Sequence, residues 1–228
     1  MHSLGILGVG ALTETIVRGL RRSGFDGPIR LSPRNAGRAQ VLAAELACEV
    51  MPDNQAVVDN VDILLLGVRP DAVTQLAAEI RIKPGQHLLS LVAGLHLHTL
   101  QATFAEAVFV RVMLSCAAQL NQTTVVVYPP DPTTQALLDP LGSQVVMKDE
   151  ADFELATVAA CMNGWFYFLL HDLQQWLTDK GLPAAEARAL VLGNLHDCVT
   201  SAQRQPEHTL KALGQAIATP GTFTADGL

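Results

Sequence analysis

Along the first two thirds of the chain, short apolar runs alternate with stretches in which apolar residues recur at helical spacing. Residues 4–7 form the first run. After Gly8 and Gly10, residues 13–20 continue as a helix with Ile16, Val17 and Leu20 on one face. The alternation then repeats. Strands are predicted at residues 28–32, 48–51, 61–68 and 87–91, followed by helices at 39–46, 54–60, 71–80 and 97–104. The run 61–68 is apolar except for Asp62 and Gly67, the pattern of a strand buried on both faces. Residues 108–113, 123–128 and 144–148 complete the strands, with a helix at 133–141 between the last two. Such alternation predicts an α/β fold with a parallel, doubly wound, Rossmann-type sheet.

Strand signals stop near Lys148-Asp149-Glu150. Helices are predicted at 152–161, 164–180, 184–203 and 209–218, with Gly181-Leu182-Pro183 breaking the chain between the second and third. The expected organisation is a Rossmann-type domain over residues 1–149 and an all-α domain over 150–228. Trp165, Phe166, Phe168, Leu169, Leu170, Leu173, Trp176 and Leu177 exceed what one buried helix face needs. They predict a homodimer through the C-terminal helices.

Composition narrows the function classes. With 49% hydrophobic and 16% charged residues the chain is globular, and its net charge of −7 argues against nucleic acid as a partner. No apolar run reaches membrane-spanning length and no export signal opens the chain, so a membrane is not expected. Cys48, Cys116, Cys161 and Cys198 are scattered, which fits reduced thiols and a cytoplasmic location. Cys116 reads as a buried structural thiol. His96 and His98 are the closest histidine pair, with no Cys or carboxylate at ligand spacing, so no metal is expected.

The chemistry begins at the amino terminus. A strand, a glycine turn and a helix in that order aim backbone N–H groups and the positive helix end at a phosphate. Gly8 makes the turn and Gly10 leaves room for a pyrophosphate. The third small residue of the G-x-G-x-x-G pattern is replaced by Thr13. The second strand ends in Ser32, Arg34, Asn35 and Arg38, with no acid before Glu45. Cations there favour the extra phosphate of NADP(H) over NAD(H), which stays open as a second cofactor. Gly8, Arg34, Arg69, Gly94 and Ser115 all fall at the carboxyl ends of predicted strands.

Taken together the chain resembles the pyrroline-5-carboxylate reductase family, which reduces a cyclic imine to proline with NAD(P)H. The resemblance rests on Gly8-x-Gly10 with Gly19-Leu20 and Ser23-Gly24, the Asn54 turn, Val68-Arg69-Pro70 and Ser90-Leu91-Val92-Ala93-Gly94. It continues through Arg111-Val112-Met113, Gly181-Leu182-Pro183 and the stretch 218–224. It implies that Gly8, Gly10, Ala11 and Leu12 line the pyrophosphate and that Ser32, Arg34, Asn35 and Asn54 hold the adenosine end. Val68, Arg69, Pro70, Ala93 and Gly94 would lie along the nicotinamide. Met113, Ser115, Asn163, Gly164, Pro220, Gly221 and Thr222 would line the substrate, and Thr224 falls on the family's active-site threonine.

The departures concentrate at the substrate. Leu114-Ser115-Cys116-Ala117 stands where the family has Pro-Asn-Thr-Pro, and 161–167 replaces Gly-Ser-Gly-Pro-Ala-Tyr, bringing in Trp165. Thr222 takes the place of a glycine in the loop that holds the substrate carboxylate. The chain ends at Leu228, where the family continues into a last helix, which implies a shortened relative or a differently built dimer.

The expected reaction is hydride transfer to the C=N of a small cyclic imino acid, with Thr224 donating to the imine nitrogen and Arg69 facing an anionic substrate. Each has a plainer reading, Thr224 as a cap and Arg69 as a surface charge; Ser115 and Asn163 are equally credible as caps. Two other classes stay open: an NADP-dependent reductase of a different imine or carbonyl, and an inactive NADP-binding relative.

Overall fold

The structure, a computed structural model, describes residues 2–104 and 106–226. The amino-terminal half alternates strand and helix: β1 (Leu4–Leu7), α1 (Ala11–Arg22), β2 (Ile29–Leu31), α2 (Ala36–Leu46), β3 (Glu49–Val50) and α3 (Asn54–Asp59). There follow β4 (Ile63–Leu66), α4 (Val73–Glu79), β5 (His87–Ser90), α5 (Leu97–Thr103) and β6 (Val108–Met113). Then come β7 (Thr123–Tyr128), α6 (Pro132–Leu138), β8 (Gly142–Val146) and α7 (Glu150–Ala160). The chain ends in α8 (Met162–Asp179), α9 (Ala184–Arg204), α10 (Leu210–Ile217) and α11 (Phe223–Asp226).

The strands form one sheet in the order β3-β2-β1-β4-β5-β6-β7-β8. The order reverses beside β1, so the crevice between the carboxyl ends of β1 and β4 is the switch point where ligands bind in such sheets. Alternate residues of these strands feed opposite cores. Leu4, Ile6, Ile63 and Leu65 pack with Ile16, Val17 and Leu20 of α1 on one face. Leu7, Leu64 and Leu66 pack with Val57, Val58 and Leu76 on the other. Two-sided burial is why these runs carry almost no polar residue.

The expectation of a wholly parallel sheet is corrected. The sheet is not wholly parallel, because β7 runs antiparallel to β6. Residues 114–122 are too few for a crossover, which takes a dozen or more, so they close as a short 3-10 turn (Cys116–Leu120) and return the chain along its neighbour. Parallel pairing resumes between β7 and β8 through α6.

The chain divides into two compact units, one ending at Met162 and one spanning Asn163–Leu228. Helix α7 therefore belongs with the sheet, although the loss of strand signals placed a boundary at 149/150. Its Phe153 is 1% exposed and meets Tyr128 of β7 ring to ring at 6.2 Å. In the second unit α8 to α11 bury little: among the described residues only Ala187 and Val191 are buried. By length and mean hydropathy (1.3), the helical stretch Glu150–Asp179 passes for a membrane span, contrary to the expectation of no such run. Its first part, α7, is committed to the sheet. The rest carries His171, Asp172, Gln174 and Gln175 midway, groups that hydrocarbon penalises.

Candidate functional site

A cleft of about 420 Å³ opens at the switch point, lined by Gly8, Gly10, Arg34, Asn35, Val68 and Arg69, with Gly67, Asp71 and Gln75 among its other walls. Gly8 is held at φ +96°, and a Cβ there would sit 2.7 Å from Val68 Cγ1. Gly10 is the residue before α1, at φ −105°, and a Cβ on it would meet nothing within 4 Å. The space above Gly10 is therefore open to a ligand. The amides of Ala11 and Leu12, in the first turn of α1, have no acceptor within the helix, which is the anion-binding arrangement of a helix start.

Thr13 is accommodated by its surroundings. Its hydroxyl accepts from Gly10 N–H at 2.8 Å and donates to the Gly8 carbonyl at 3.0 Å, closing the turn with a side chain. The space comes from Gly67 at the end of β4, where an added Cβ would stand 2.2 Å from Thr13 Cγ2. The close helix–strand approach made elsewhere by a third glycine is supplied here from the facing strand. Gly67 was visible in the sequence as a break in an apolar run, but its partner was not.

The residues predicted for the adenosine end separate. Ser32 is buried, and its hydroxyl accepts from Gly8 N–H at 3.1 Å, so it braces the turn beneath the cleft. Asn35 donates to the Val9 carbonyl at 2.9 Å. Arg34 is exposed at the rim and donates from Nη2 to Gln75 Oε1 at 2.9 Å. Gln75 donates to Glu79, which also accepts from Asn54 at 2.8 Å, so Arg34 and Asn54 share one hydrogen-bonded chain across α4. Arg38 lies on α2 and is paired with Glu14. Burial alone would raise the Glu14 carboxyl, but the guanidiniums of Arg18 and Arg38 hold it below its ordinary range.

Arg69 and Pro70 follow β4, and the Arg69 side chain is 85% exposed, 3.4 Å from Asp71. Ala93 and Gly94 are exposed in the β5–α5 loop, with Gly94 at φ +71°. Met113 ends β6, and Ser115 caps the following 3-10 turn by accepting from Ala117 N–H at 3.2 Å. Cys116, expected to be buried, is exposed on that turn, whose Ala118 is the residue buried instead.

The remaining predicted residues lie in the second unit. Asn163 and Gly164 are exposed in the first turn of α8. Gly221 has φ +82°, and the Thr222 hydroxyl donates to the Thr219 carbonyl at 2.7 Å while accepting from Ala225 N–H, so it serves its own turn. Thr224 sits exposed within α11.

A charged cluster went unseen in the sequence. Arg111 of β6 is 1% exposed, yet its Nη1 donates to Glu150 at 2.7 Å and to Glu154 at 2.5 Å. Its Cζ lies 4.5 Å from the centre of the Phe153 ring. His96 approaches the same carboxylates at 3.8 and 3.4 Å. Two carboxylates thus meet His96 despite a separation of more than fifty residues. The three side chains have the composition of a cation site, but the Arg111 guanidinium already supplies the positive charge between the two acids. Burial alone would raise the Glu150 carboxyl, but the Leu97 N–H and Arg111 hold it below its ordinary range.

Residues 3–94 match the family described as NADP oxidoreductase, coenzyme F420-dependent. A pyrroline-5-carboxylate reductase of Arabidopsis thaliana is 26% identical over 99% of this chain and 85% of its own. Two solved structures share the fold. The 1-pyrroline-5-carboxylate reductase of Streptococcus pyogenes superposes with a TM-score of 0.86 at 24% identity, over 99% of this chain and 88% of that one. The pyrroline carboxylate reductase of Plasmodium falciparum, solved with NADP bound, gives 0.85 at 19% identity, over 99% and 87%.

Proposed function

We propose that this chain, a divergent relative of the pyrroline-5-carboxylate reductases, uses NADPH to reduce the C=N bond of a small cyclic imino acid, a reaction of the proline-biosynthesis type. The observation that carries the reading is the open space above Gly10 beside the free first-turn amides of α1, with Arg34 at the rim. NADPH, when bound, supplies the hydride. A C=N carbon becomes electrophilic once its nitrogen accepts a hydrogen bond or a proton, so the protein need only orient it, donate to that nitrogen and exclude water.

In this reading the Ala11 and Leu12 amides take the diphosphate, and Arg34 takes the phosphate on the adenosine ribose. Val68, Arg69, Pro70, Ala93 and Gly94 flank the nicotinamide. Met113, Ser115, Asn163, Gly164, Pro220, Gly221 and Thr222 serve the substrate by their places in the motifs. Thr224 donates its hydroxyl to the imine nitrogen, and Arg69 offers charge to an anionic substrate. NAD(H) is a poorer cofactor, because nothing acidic ends β2 to accept from the ribose hydroxyls.

A second reading is favoured by Thr222, whose hydroxyl is spent within its own turn where the family has a glycine. It assigns a different imine or carbonyl substrate, or retained NADP binding without turnover. The exposed apolar groove between α8 and α9, with Leu173, Trp176 and Leu195 on its walls, supports a homodimer through the second unit. A cytoplasmic location fits the four unbridged cysteines.

Purified protein mixed with NADPH and pyrroline-5-carboxylate tests the main reading by loss of nicotinamide absorbance. Turnover only with other imines or carbonyls favours the second substrate class, and tight NADPH binding with no turnover favours the inactive relative. A Thr224→Ala variant that turns over like the parent removes Thr224 from the mechanism.

A further inference from the structure

Helix α5 begins without a local cap: His96 precedes it and makes no side-chain cap bond. The N–H of Leu97 instead donates to Glu150 Oε1 at 2.7 Å, an acceptor fifty-three residues further along the chain. The same oxygen accepts from Arg111 Nη1 at 2.7 Å. Glu150 is therefore a three-way junction joining the start of α5, the buried guanidinium on β6 and the first turn of α7. Arg111 is fixed by the Phe153 ring and by Glu154, and its Nε and Nη2 have no hydrogen-bond partner among the described residues. A buried cation with so few acceptors depends on the carboxylates it has, so neither acid can leave cheaply.

What the junction holds is short. The loop from Val92 to His96 leaves β5 and enters α5, and it carries Ala93 and Gly94. At its near end it is pinned by Leu91 N–H on the Leu66 carbonyl at 3.0 Å and by Val92 N–H on Ser90 Oγ at 3.3 Å. Ser90 is the residue of β5 in register with Arg111. The far end is tied to Glu150 through Leu97 N–H, beside the packing of Leu95 and Leu97 on the core and the approach of His96 to Glu154. Gly94, at φ +71°, is the one residue of this loop in the left-handed region, so the backbone has a point about which to move if the far end is released.

We propose that Glu150, locked by Arg111, is a positioning residue for hydride transfer: it fixes the β5–α5 loop so that Ala93 and Gly94 present one rigid surface to the nicotinamide. The inference rests on the proposed cofactor reading for the place of that loop. Glu150 itself touches neither cofactor nor substrate in this assignment. It acts through Leu97 N–H, whereas Glu154 holds Arg111 and stands 3.4 Å from His96 Nδ1.

The test compares Glu150→Ala, which removes the acceptor, with Glu150→Gln, which keeps an oxygen for Leu97 N–H. Expected for Glu150→Ala is a kcat roughly ten- to hundredfold below the parent, with KM for the imine within about twofold. Glu150→Gln is expected to recover most of the lost kcat. Amide exchange is expected to accelerate at Leu97 and across the loop while β1 and β4 stay protected, and the emission of bound NADPH is expected to change. Unchanged kcat and emission in Glu150→Ala, or exchange that accelerates evenly across the sheet, overturns the proposal. Parent protein that binds NADPH but turns over no imine sinks the reductase reading alone, since exchange and NADPH emission still decide the positioning role. Should Glu150→Ala fail to fold, Glu150→Gln and Glu150→Asp are compared with the parent by the same measurements; exchange at Leu97 identical in all three overturns the tether.

Discussion

Two glycines of the first turn have different physical duties, and substitution separates them. Gly8 needs its positive φ and has Val68 against it, so Gly8→Ala is expected to cost about 1–3 kcal/mol of stability by denaturant titration. Gly10 has an ordinary φ and empty space over it. Gly10→Ala is expected to stay within about 0.5 kcal/mol of the parent. Its methyl group would occupy the place proposed for the diphosphate, so NADPH binding followed by fluorescence is expected to weaken more than tenfold (roughly 1.4 kcal/mol). A stable Gly10→Ala that binds NADPH like the parent would remove the cleft from the cofactor reading. Arg34 makes one exposed hydrogen bond, to Gln75. Arg34→Ala is therefore expected to lower the NADPH-over-NADH preference by about tenfold or more, with little change in stability. Both glycines and Arg34 were legible as sequence. The bracing role of Ser32 was not, because a hydroxyl at a strand end reads the same whether it meets a ligand or Gly8 N–H.

At the scale of elements, α7 is where local and tertiary signals part. Its sequence reads as the first helix of a helical domain, yet Phe153, Glu150 and Glu154 commit it to the sheet. Charge on Glu150 is favoured in the folded chain, whose carboxyl is held below the ordinary 4.5. Its contribution to stability is therefore fully present above about pH 4.5 and is lost as the pH falls through the lowered folded value. Glu14 and Asp62 are lowered as well and act in the same direction. The denaturation midpoint is expected to be level from neutral pH down to about 5 and to fall below that. In Glu150→Gln the fall is expected to be shallower; an unchanged acid limb would show that the carboxylate is not held as described. The reversal of β7 has a simple cause: periodicity marks a strand, whereas its direction follows from how much chain is left to cross over.

For the whole molecule, the second unit presents more apolar surface than sixty-odd residues keep uncovered alone. Leu173, Trp176 and Leu195 are all exposed around one groove, lined among the described residues by apolar side chains together with Asn194 and Cys198. In the proposed homodimer a second copy of the same helices covers this groove. Sedimentation is expected to give a dimer for the parent and a monomer for Leu173→Glu, which places a charge in the groove. A parent that sediments as a monomer would rule out the homodimer, and one that partitions onto vesicles would point to the membrane-length stretch 150–179 instead.

The sequence by itself determined the run of strands and helices, the glycine turn and the cation at the end of β2, because each depends on residues within one turn or one strand. Tertiary structure decided that Gly67 makes room for Thr13, that Ser32 supports the turn from beneath, and that Arg111, Glu150 and Leu97 meet. Those contacts join residues twenty-four to fifty-four positions apart. Spacing along a chain encodes which face a side chain takes, whereas what stands opposite is set only when the sheet brings distant strands together.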